Sequence, residues 1–210
     1  MKVVLVNGSP HKNGCTARAL REVQVTLEAE GIETEIFWVG AAPVSGCLGC
    51  YKCAGVGRCV LDDCVNRLID KVGEADGFIF GSPVHFAAAG GSVTSLMDRL
   101  FYAAKRGGVN PFYLKPAACV VSARRAGTTA TFDQLNKYFT ISEMPIISSR
   151  YWNMVHGNIP EEVEQDLEGL QSMRILARNM AWFLRCKAAG EAAGIPLPER
   201  ETVTPTNFVR

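Results

Sequence analysis

Four cysteines in one short segment are the residues of this chain best suited to bind metal. Cys47, Cys50, Cys53 and Cys59 follow the spacing C-x2-C-x2-C-x5-C. Three closely spaced thiolates, joined by a fourth after a glycine-containing turn, can wrap an iron–sulfur cluster much as the cysteine runs of ferredoxins do. Zinc is the weaker interpretation, because structural zinc sites usually set two separate ligand pairs on opposing turns. The spacing favours a cluster over zinc, while a metal-free packing role stays open.

A polar loop near the start of the chain has the composition of an anion site. The apolar run Lys2–Asn7 predicts a buried strand, and a helix is predicted over Ala17–Glu30. Between them, the hydroxyls of Ser9 and Thr16 could enclose a phosphate together with the first amides of the helix, which are unpaired donors at a positive dipole end. The loop lacks the glycine spacing of dinucleotide and Walker-type NTP sites. An ordinary turn whose hydroxyls only cap the helix remains the alternative.

Composition and charge restrict the function classes. The 210 residues carry a formal net charge of +1 with scattered lysines and arginines, so we expect no binding to nucleic acid. No apolar run approaches the roughly 20 residues that span a bilayer, and the first strand is too short for a signal peptide. We therefore expect a cytoplasmic protein without membrane association. Its eight cysteines are then not expected to form structural disulfides, and Cys119 and Cys186 are predicted to be small core residues.

Alternating strands and helices must position these groups. Further strands are predicted over residues 33–39, 76–81, 115–122 and 144–148, and further helices over 62–73, 91–104, 128–139 and 160–189. This alternation predicts one α/β domain over residues 1–189, with a doubly wound parallel sheet of five strands and helices on both faces. The cysteines lie in a loop over 43–61, and 190–210 is predicted to be an extended tail. An apolar surplus on the last helix predicts a homodimer or homotetramer.

Three loop motifs together resemble one protein family. They are GSPHKNGCTARAL, GSPVHFAAAGGSVTSLMDR and SARRAGTTAT, and they follow the first, third and fourth predicted strands. The chain over roughly residues 1–155 resembles the flavodoxin-like superfamily, and within it the branch of NADPH-dependent FMN reductases and iron–sulfur flavoproteins. The resemblance implies the flavodoxin-like strand order 2-1-3-4-5 and bound FMN. Ligands of such open α/β sheets bind outside the carboxyl ends of the strands.

The resemblance also implies FMN-binding residues in the three loops. In the family the first loop holds the phosphate, the second runs along the isoalloxazine ring and the third completes the ring pocket. The matching residues are Ser9, Lys12, Asn13, Cys15 and Thr16 in the first loop, Pro83, Val84, His85 and Phe86 in the second, and Ser122, Arg124 and Gly127 in the third. His85 stands where relatives often have Tyr or Trp. N5 of FMN carries the redox chemistry in this family, so the protein itself needs few catalytic side chains. A proton relay by His85 is the only catalytic role predicted for a side chain.

Two functions follow from the resemblance. The first is an FMN-dependent oxidoreductase that takes electrons from NAD(P)H and passes them to a small acceptor such as a quinone, a nitro compound or a flavin. The second is an electron-transfer protein in which Cys47, Cys50, Cys53 and Cys59 hold a [4Fe–4S] cluster that relays electrons from ferredoxin to FMN. Cluster-free relatives also keep several of these cysteines, so both stay open. A cofactor-free module like a response-regulator receiver is disfavoured, because receivers need acidic residues at strand ends and this chain has Asn7 there.

Overall fold

The elements follow in the order that the sequence predicts, except that one small strand is added, the fifth parallel strand lies later in the chain and the last helix is divided in two. A computed structural model describes residues 1–204 and 206. The elements are β1 (Lys2–Asn7), α1 (Cys15–Ala29), β2 (Glu33–Trp38), α2 (Cys64–Val72), β3 (Gly77–His85), β4 (Ala88–Ala89), α3 (Gly91–Lys105), β5 (Ala117–Ala123), α4 (Thr128–Thr140), β6 (Met154–His156), α5 (Pro160–Val163) and α6 (Leu167–Ala192). Within the described residues, no helix is long and apolar enough to cross a membrane.

Five strands form a parallel sheet in the order β2-β1-β3-β5-β6, and β4 pairs antiparallel with β3. Counting the parallel strands alone, this is the predicted flavodoxin-like order 2-1-3-4-5. The central strands are covered on both faces, and Val3–Val6 are at most 1% exposed. This burial explains the continuous apolar run of β1, since a strand with two covered faces has no polar side. The arrangement confirms the predicted fold class.

The fifth parallel strand lies later in the chain than predicted. The prediction of a strand over residues 144–148 is wrong, because this segment forms only an isolated bridge between Ile146 and Ala117. Its apolar residues resemble a strand, but Pro145 has no N–H to donate to a ladder. The chain leaves the sheet edge and returns as β6, which pairs with the carboxyl-terminal part of β5. The segment after β6 therefore reaches the carboxyl edge of the sheet.

Apolar side chains pack on both faces of the sheet. One face buries the inner sides of α2, α3 and α4 around five phenylalanines, Phe78, Phe80, Phe101, Phe112 and Phe139. The other face buries α1 and α6. All eight cysteines are free thiols. Cys119 is fully buried in β5 as predicted, whereas Cys186 is exposed on α6, so the prediction of a core role for Cys186 is wrong.

The predicted helix over 160–189 is two helices. The chain breaks after α5, and Asp166 caps α6 by accepting a hydrogen bond of 2.9 Å from the N–H of Gly169. Most of the apolar surplus on α6 lies in the core of this chain, and Trp182 remains 65% exposed. Beyond α6, Arg200 pairs with Glu143, so this part of the tail lies on the domain surface. The predicted tail residues 205 and 207–210 lie outside the described part of the chain.

Candidate functional site

A cleft of about 700 Å³ opens at the carboxyl ends of β1, β3, β5 and β6. It brings together ten of the twelve residues predicted to bind FMN: Ser9, Lys12, Asn13, Cys15, Thr16, Pro83, Val84, His85, Ser122 and Arg124. Phe86 and Gly127 are not among its lining residues. The cleft occupies the position where open α/β sheets bind their ligands.

The first loop leaves the start of α1 open to the cleft. Gly14 precedes the helix, and among the residues that the structure describes no side chain caps the helix start with a hydrogen bond. The hydroxyl of Ser9 instead accepts the N–H of His11 at 3.1 Å, and Asn7 fastens the loop by accepting the N–H of Ser9 at 3.1 Å and donating to the carbonyl of Lys12 at 3.1 Å. The predicted alternative, in which Ser9 and Thr16 only cap α1, is therefore wrong. Uncapped amides at a positive dipole end are suited to an anion.

Trp38 supports the same loop from the end of β2, and the sequence analysis did not single it out. Its indole N–H donates to the carbonyl of Ser9 at 2.9 Å. The ammonium group of Lys12 lies over the indole ring, 5.7 Å from the centroid. The ring thus fixes both the loop backbone and the position of a cation beside the cleft.

A buried pair of hydroxyls joins the first loop to the third. The Thr16 Oγ1 and Ser122 Oγ atoms are 2.7 Å apart. Thr16 is 1% exposed and Ser122 is 4% exposed, although both line the cleft. The pair ties the first turn of α1 to the end of β5, which sets the floor of the cleft.

The second loop is a tight hairpin between β3 and β4. Phe86 and Ala87 have φ values of 49° and 60°, the left-handed conformation that two-residue hairpin turns require. Phe86 is 106% exposed and points away from the protein surface. A Cβ atom at Gly127, where φ is +94°, would lie 2.7 Å from the Cα of Ala87. Gly127 therefore lets the third loop pack on this hairpin, while His85 contributes an exposed side chain to the cleft wall.

The segment Gly157–Pro160 forms a wall of the cleft that the sequence analysis missed. The thiol of Cys15 donates to the carbonyl of Gly157 at 3.4 Å. Burial raises the pKa of this thiol, and the nearby carboxylates of Glu161 and Glu162 raise it further. Cys15 is thus a neutral hydrogen-bond donor that fastens the wall. The misplaced fifth strand caused the omission, since the true strand, β6, ends immediately before Gly157.

The four cysteines of the C-x2-C-x2-C-x5-C segment line one small cavity, together with Leu48, Tyr51, Val60, Arg99, Tyr102 and Ala103. Cys53 is buried, whereas Cys47 and Cys50 are exposed. Burial is the largest cause that raises the pKa of the Cys53 thiol, and electrostatic interaction with Cys50, Cys47 and Cys59 raises it further. The described residues contain no group of three or more His, Cys, Asp or Glu that could hold a metal ion as placed.

Arg99 of α3 is the polar residue that closes this cavity from inside. Its side chain is fully buried and forms an ion pair with Asp63 at 2.6 Å. Burial opposes ionisation of Asp63, but the hydrogen bonds from Arg99 and from the N–H of Val65 hold the pKa of that carboxyl below its usual value. The sequence contained a signal for this buried ion pair. Arg99 follows Leu96 by three residues and so lies on an otherwise apolar face of the helix, where a charged side chain requires a buried partner.

One protein-family profile matches most of this chain. The family profile of NADPH-dependent FMN reductases matches residues 1–158, which include the cysteine cavity and all of the cleft lining except Ile159 and Pro160. The chain belongs to the NADPH-dependent FMN reductase family. As a member of this family it is a flavodoxin-like FMN flavoprotein and an oxidoreductase. The three loops that were predicted to bind FMN form walls of one cleft.

One relative is similar to this chain in sequence, and two solved structures are similar to it in fold. An iron–sulfur flavoprotein of Methanocaldococcus jannaschii is 32% identical over 190 residues, which cover 86% of this chain and 96% of the relative. The fold is similar to RosB with bound 8-demethyl-8-formylriboflavin-5'-phosphate, with a TM-score of 0.72 and 15% identity over 100% of this chain and 92% of that one. It is also similar to FerB, an NAD(P)H:(acceptor) oxidoreductase of Paracoccus denitrificans, with a TM-score of 0.62 and 15% identity over 88% of this chain and 97% of that one.

Proposed function

We propose that this protein is an iron–sulfur flavoprotein, in which a [4Fe–4S] cluster in the cysteine cavity passes electrons to FMN in the cleft and FMN reduces a small molecule. The observation that carries the proposal is the convergence of Cys47, Cys50, Cys53 and Cys59 on one cavity. The name of the Methanocaldococcus relative supports it, because that relative is matched over nearly its whole length. Ferredoxin is the proposed electron donor.

The residues of the cleft fit FMN. The uncapped start of α1 offers amide donors for the phosphate, and Lys12 offers a positive charge beside it. FMN supplies one- and two-electron redox chemistry at N5 when it is bound. Pro83 and Val84 contribute an apolar wall suited to a flat ring, and His85 stands exposed at its edge, where its predicted role as a proton relay remains to be tested.

The residues of the cysteine cavity fit a cluster better than they fit one ion. Four thiolates are the usual ligand set of a [4Fe–4S] cluster, which distributes its ligands around several irons. All four thiols line one cavity, and their C-x2-C-x2-C-x5-C spacing differs from the two separate ligand pairs of a structural zinc site. Cys47 and Cys50, which are exposed, lie on the outer side, where a protein donor could approach.

A second candidate is the direct use of NAD(P)H as electron donor. The observation that favours it is the charge of the open cleft, where Lys12 and Arg124 both line the wall. Two cations beside an exposed flavin site suit the phosphates of a nicotinamide cofactor. In this case a quinone, a nitro compound or a flavin is the proposed acceptor, and the cysteine cavity serves packing only.

Cysteine variants distinguish the two candidates. After anaerobic purification, Cys50→Ala and Cys53→Ala should lose iron and sulfide and keep FMN, because the cleft is built from other loops. Cys186→Ala is the matched control, since its thiol is exposed on α6 outside the cavity. Reduced ferredoxin should then reduce FMN in the wild type and the control but not in the two cavity variants. Equal rates in all four proteins would contradict the cluster relay, and rapid reduction of all four by NAD(P)H would favour the second candidate.

We also propose that the protein assembles as a homodimer or homotetramer. Large apolar side chains remain exposed on several loops and on α6, among them Tyr51, Phe86, Trp152 and Trp182. Aromatic residues of this kind are common at subunit contacts. Light scattering at micromolar concentration should give at least twice the chain mass of 22.8 kDa, and the chain mass itself would contradict the proposal.

A further inference from the structure

Arg99 uses every one of its donors on the segment that carries the cysteines. Its Nε–H donates to the Sγ of Cys59 at 3.2 Å. One terminal nitrogen donates to the carbonyl of Ser45 at 3.2 Å and to Asp63 at 2.6 Å, and the other donates to the carbonyl of Leu61 at 3.0 Å and to Asp63 at 2.9 Å. A guanidinium group has five N–H donors, so none is left for another partner. The side chain is fully buried.

Cys59 is held more firmly than the cysteines on the outer side of the cavity. Asn66, which is 4% exposed, accepts the N–H of Cys59 at 2.9 Å and donates to its carbonyl at 3.0 Å. Arg99 fixes the thiol of the same residue, so both backbone polar groups and the sulfur have partners. Cys47 and Cys50 lie on the exposed part of the segment. Cys59 is thus held by hydrogen bonds at both its backbone and its thiol.

The ion pair between Arg99 and Asp63 fixes the orientation of the guanidinium group and so determines which donor faces Cys59. Asp63 binds the two terminal nitrogens of Arg99 and leaves Nε as the donor that faces the sulfur. Bidentate pairs of this kind hold a guanidinium in one orientation. A lysine would supply the charge without the planar fork, and it would be drawn to Asp63 rather than shared with the thiol.

We propose that Arg99 is a positioning residue that orients Cys59 and raises the reduction potential of the cluster through its N–H···S hydrogen bond. The inference rests on the proposed function, since it requires the cluster. Hydrogen bonds to the sulfur ligands and local charge are among the factors that set the potential of iron–sulfur clusters. A donor to sulfur stabilises the reduced state more than the oxidised state, because reduction adds negative charge to the ligands.

The test is a redox titration of the cluster, followed by electron paramagnetic resonance, in the anaerobic wild type and in Arg99→Met, Arg99→Lys and Arg58→Met. Arg58 is the matched control, because it directly precedes Cys59, carries the same charge and pairs with exposed Asp70 outside the cavity. Arg99→Met should lower the ratio of reduced to oxidised cluster about tenfold at a fixed potential, or about 59 mV for a one-electron couple. Arg99→Lys should also lower the reduction potential of the cluster, but by a smaller amount.

The outcomes separate this inference from the proposed function. Arg58→Met should lower the potential by far less than Arg99→Met, because it removes an exposed charge without removing a hydrogen bond to sulfur. If Arg99→Met fails to fold, Arg99→Lys carries the test, since it keeps the charge and most of the volume. Clusters with the wild-type potential in the Arg99 variants would overturn the inference and leave the proposed function intact. Absence of iron from the wild type would overturn the proposed function itself.

Discussion

Replacing Thr16 by Val tests how the floor of the cleft is built. The Thr16 and Ser122 hydroxyls are 2.7 Å apart and both are buried. Valine keeps the shape of threonine but removes the hydroxyl, so Ser122 loses its partner inside the protein. Leaving a buried polar group unpaired costs about 1–3 kcal/mol, and we expect the free energy of unfolding to fall by that amount.

FMN affinity should fall as well, for a separate reason. The two hydroxyls carry two hydrogen atoms, and their mutual hydrogen bond uses one of them. The other is available to an acceptor in the cleft, such as a phosphate oxygen. We therefore expect Thr16→Val to weaken FMN binding by about 1–3 kcal/mol, the usual worth of a charge-assisted hydrogen bond.

The assay is a double-mutant cycle read by urea unfolding of the FMN-free protein. Removing both hydroxyls leaves no unpaired polar group. The double variant Thr16→Val with Ser122→Ala should therefore lose about 1 kcal/mol less free energy of unfolding than the sum of the two single variants. Thr140→Val is the matched control, because its hydroxyl is exposed at the end of α4. Strict additivity of the two changes, or equal costs for Thr16→Val and Thr140→Val, would refute the reasoning.

Three further predictions concern the stability of the fold. Gly8→Ala should lower the free energy of unfolding by about 1–3 kcal/mol, because its Cβ would lie 2.1 Å from Cγ2 of Val93; an unchanged urea midpoint would contradict this. Ala87→Gly should raise the free energy of unfolding by about 0.5–1 kcal/mol, because glycine adopts the left-handed conformation at φ 60° without strain. A lower free energy of unfolding in this variant would argue against strain at Ala87. The hydrogen bond from Lys71 lowers the pKa of Glu35 below its ordinary 4.5, so Glu35→Gln should be less stable than the wild type at neutral pH. The difference should disappear as acid titration passes the folded-state pKa of Glu35, and a constant difference down to pH 2 would contradict the assignment.

Local signals in the sequence were sufficient for the sheet and for most of the cleft. The apolar run of β1, the polar loop after it and the helical spacing of α1 are properties of neighbouring residues, and they predicted the strand and the helix, with an anion site between them as one of two interpretations. The three loop motifs then located ten lining residues of one cleft. These residues meet in one cleft because parallel strands bring their carboxyl ends, and the loops that follow, to one edge of the sheet.

The parts that could not be predicted depend on contacts between distant residues. An apolar segment around Ile146 has the composition of a strand, but β5 pairs instead with β6, so the wall at Gly157 was missed. Trp38 reaches the first loop only because β2 pairs in parallel with β1. Arg99 is 40 residues from Cys59 in the chain, and no short-range pattern links them.

The central claim is that one chain carries both an FMN site and a cluster site, and one measurement tests it most directly. Protein purified without oxygen should be analysed for iron, acid-labile sulfide and flavin released by heating. The account predicts about four irons, about four sulfides and about one FMN per chain. FMN without iron or sulfide, even after anaerobic reconstitution, would contradict it and leave a plain flavin reductase.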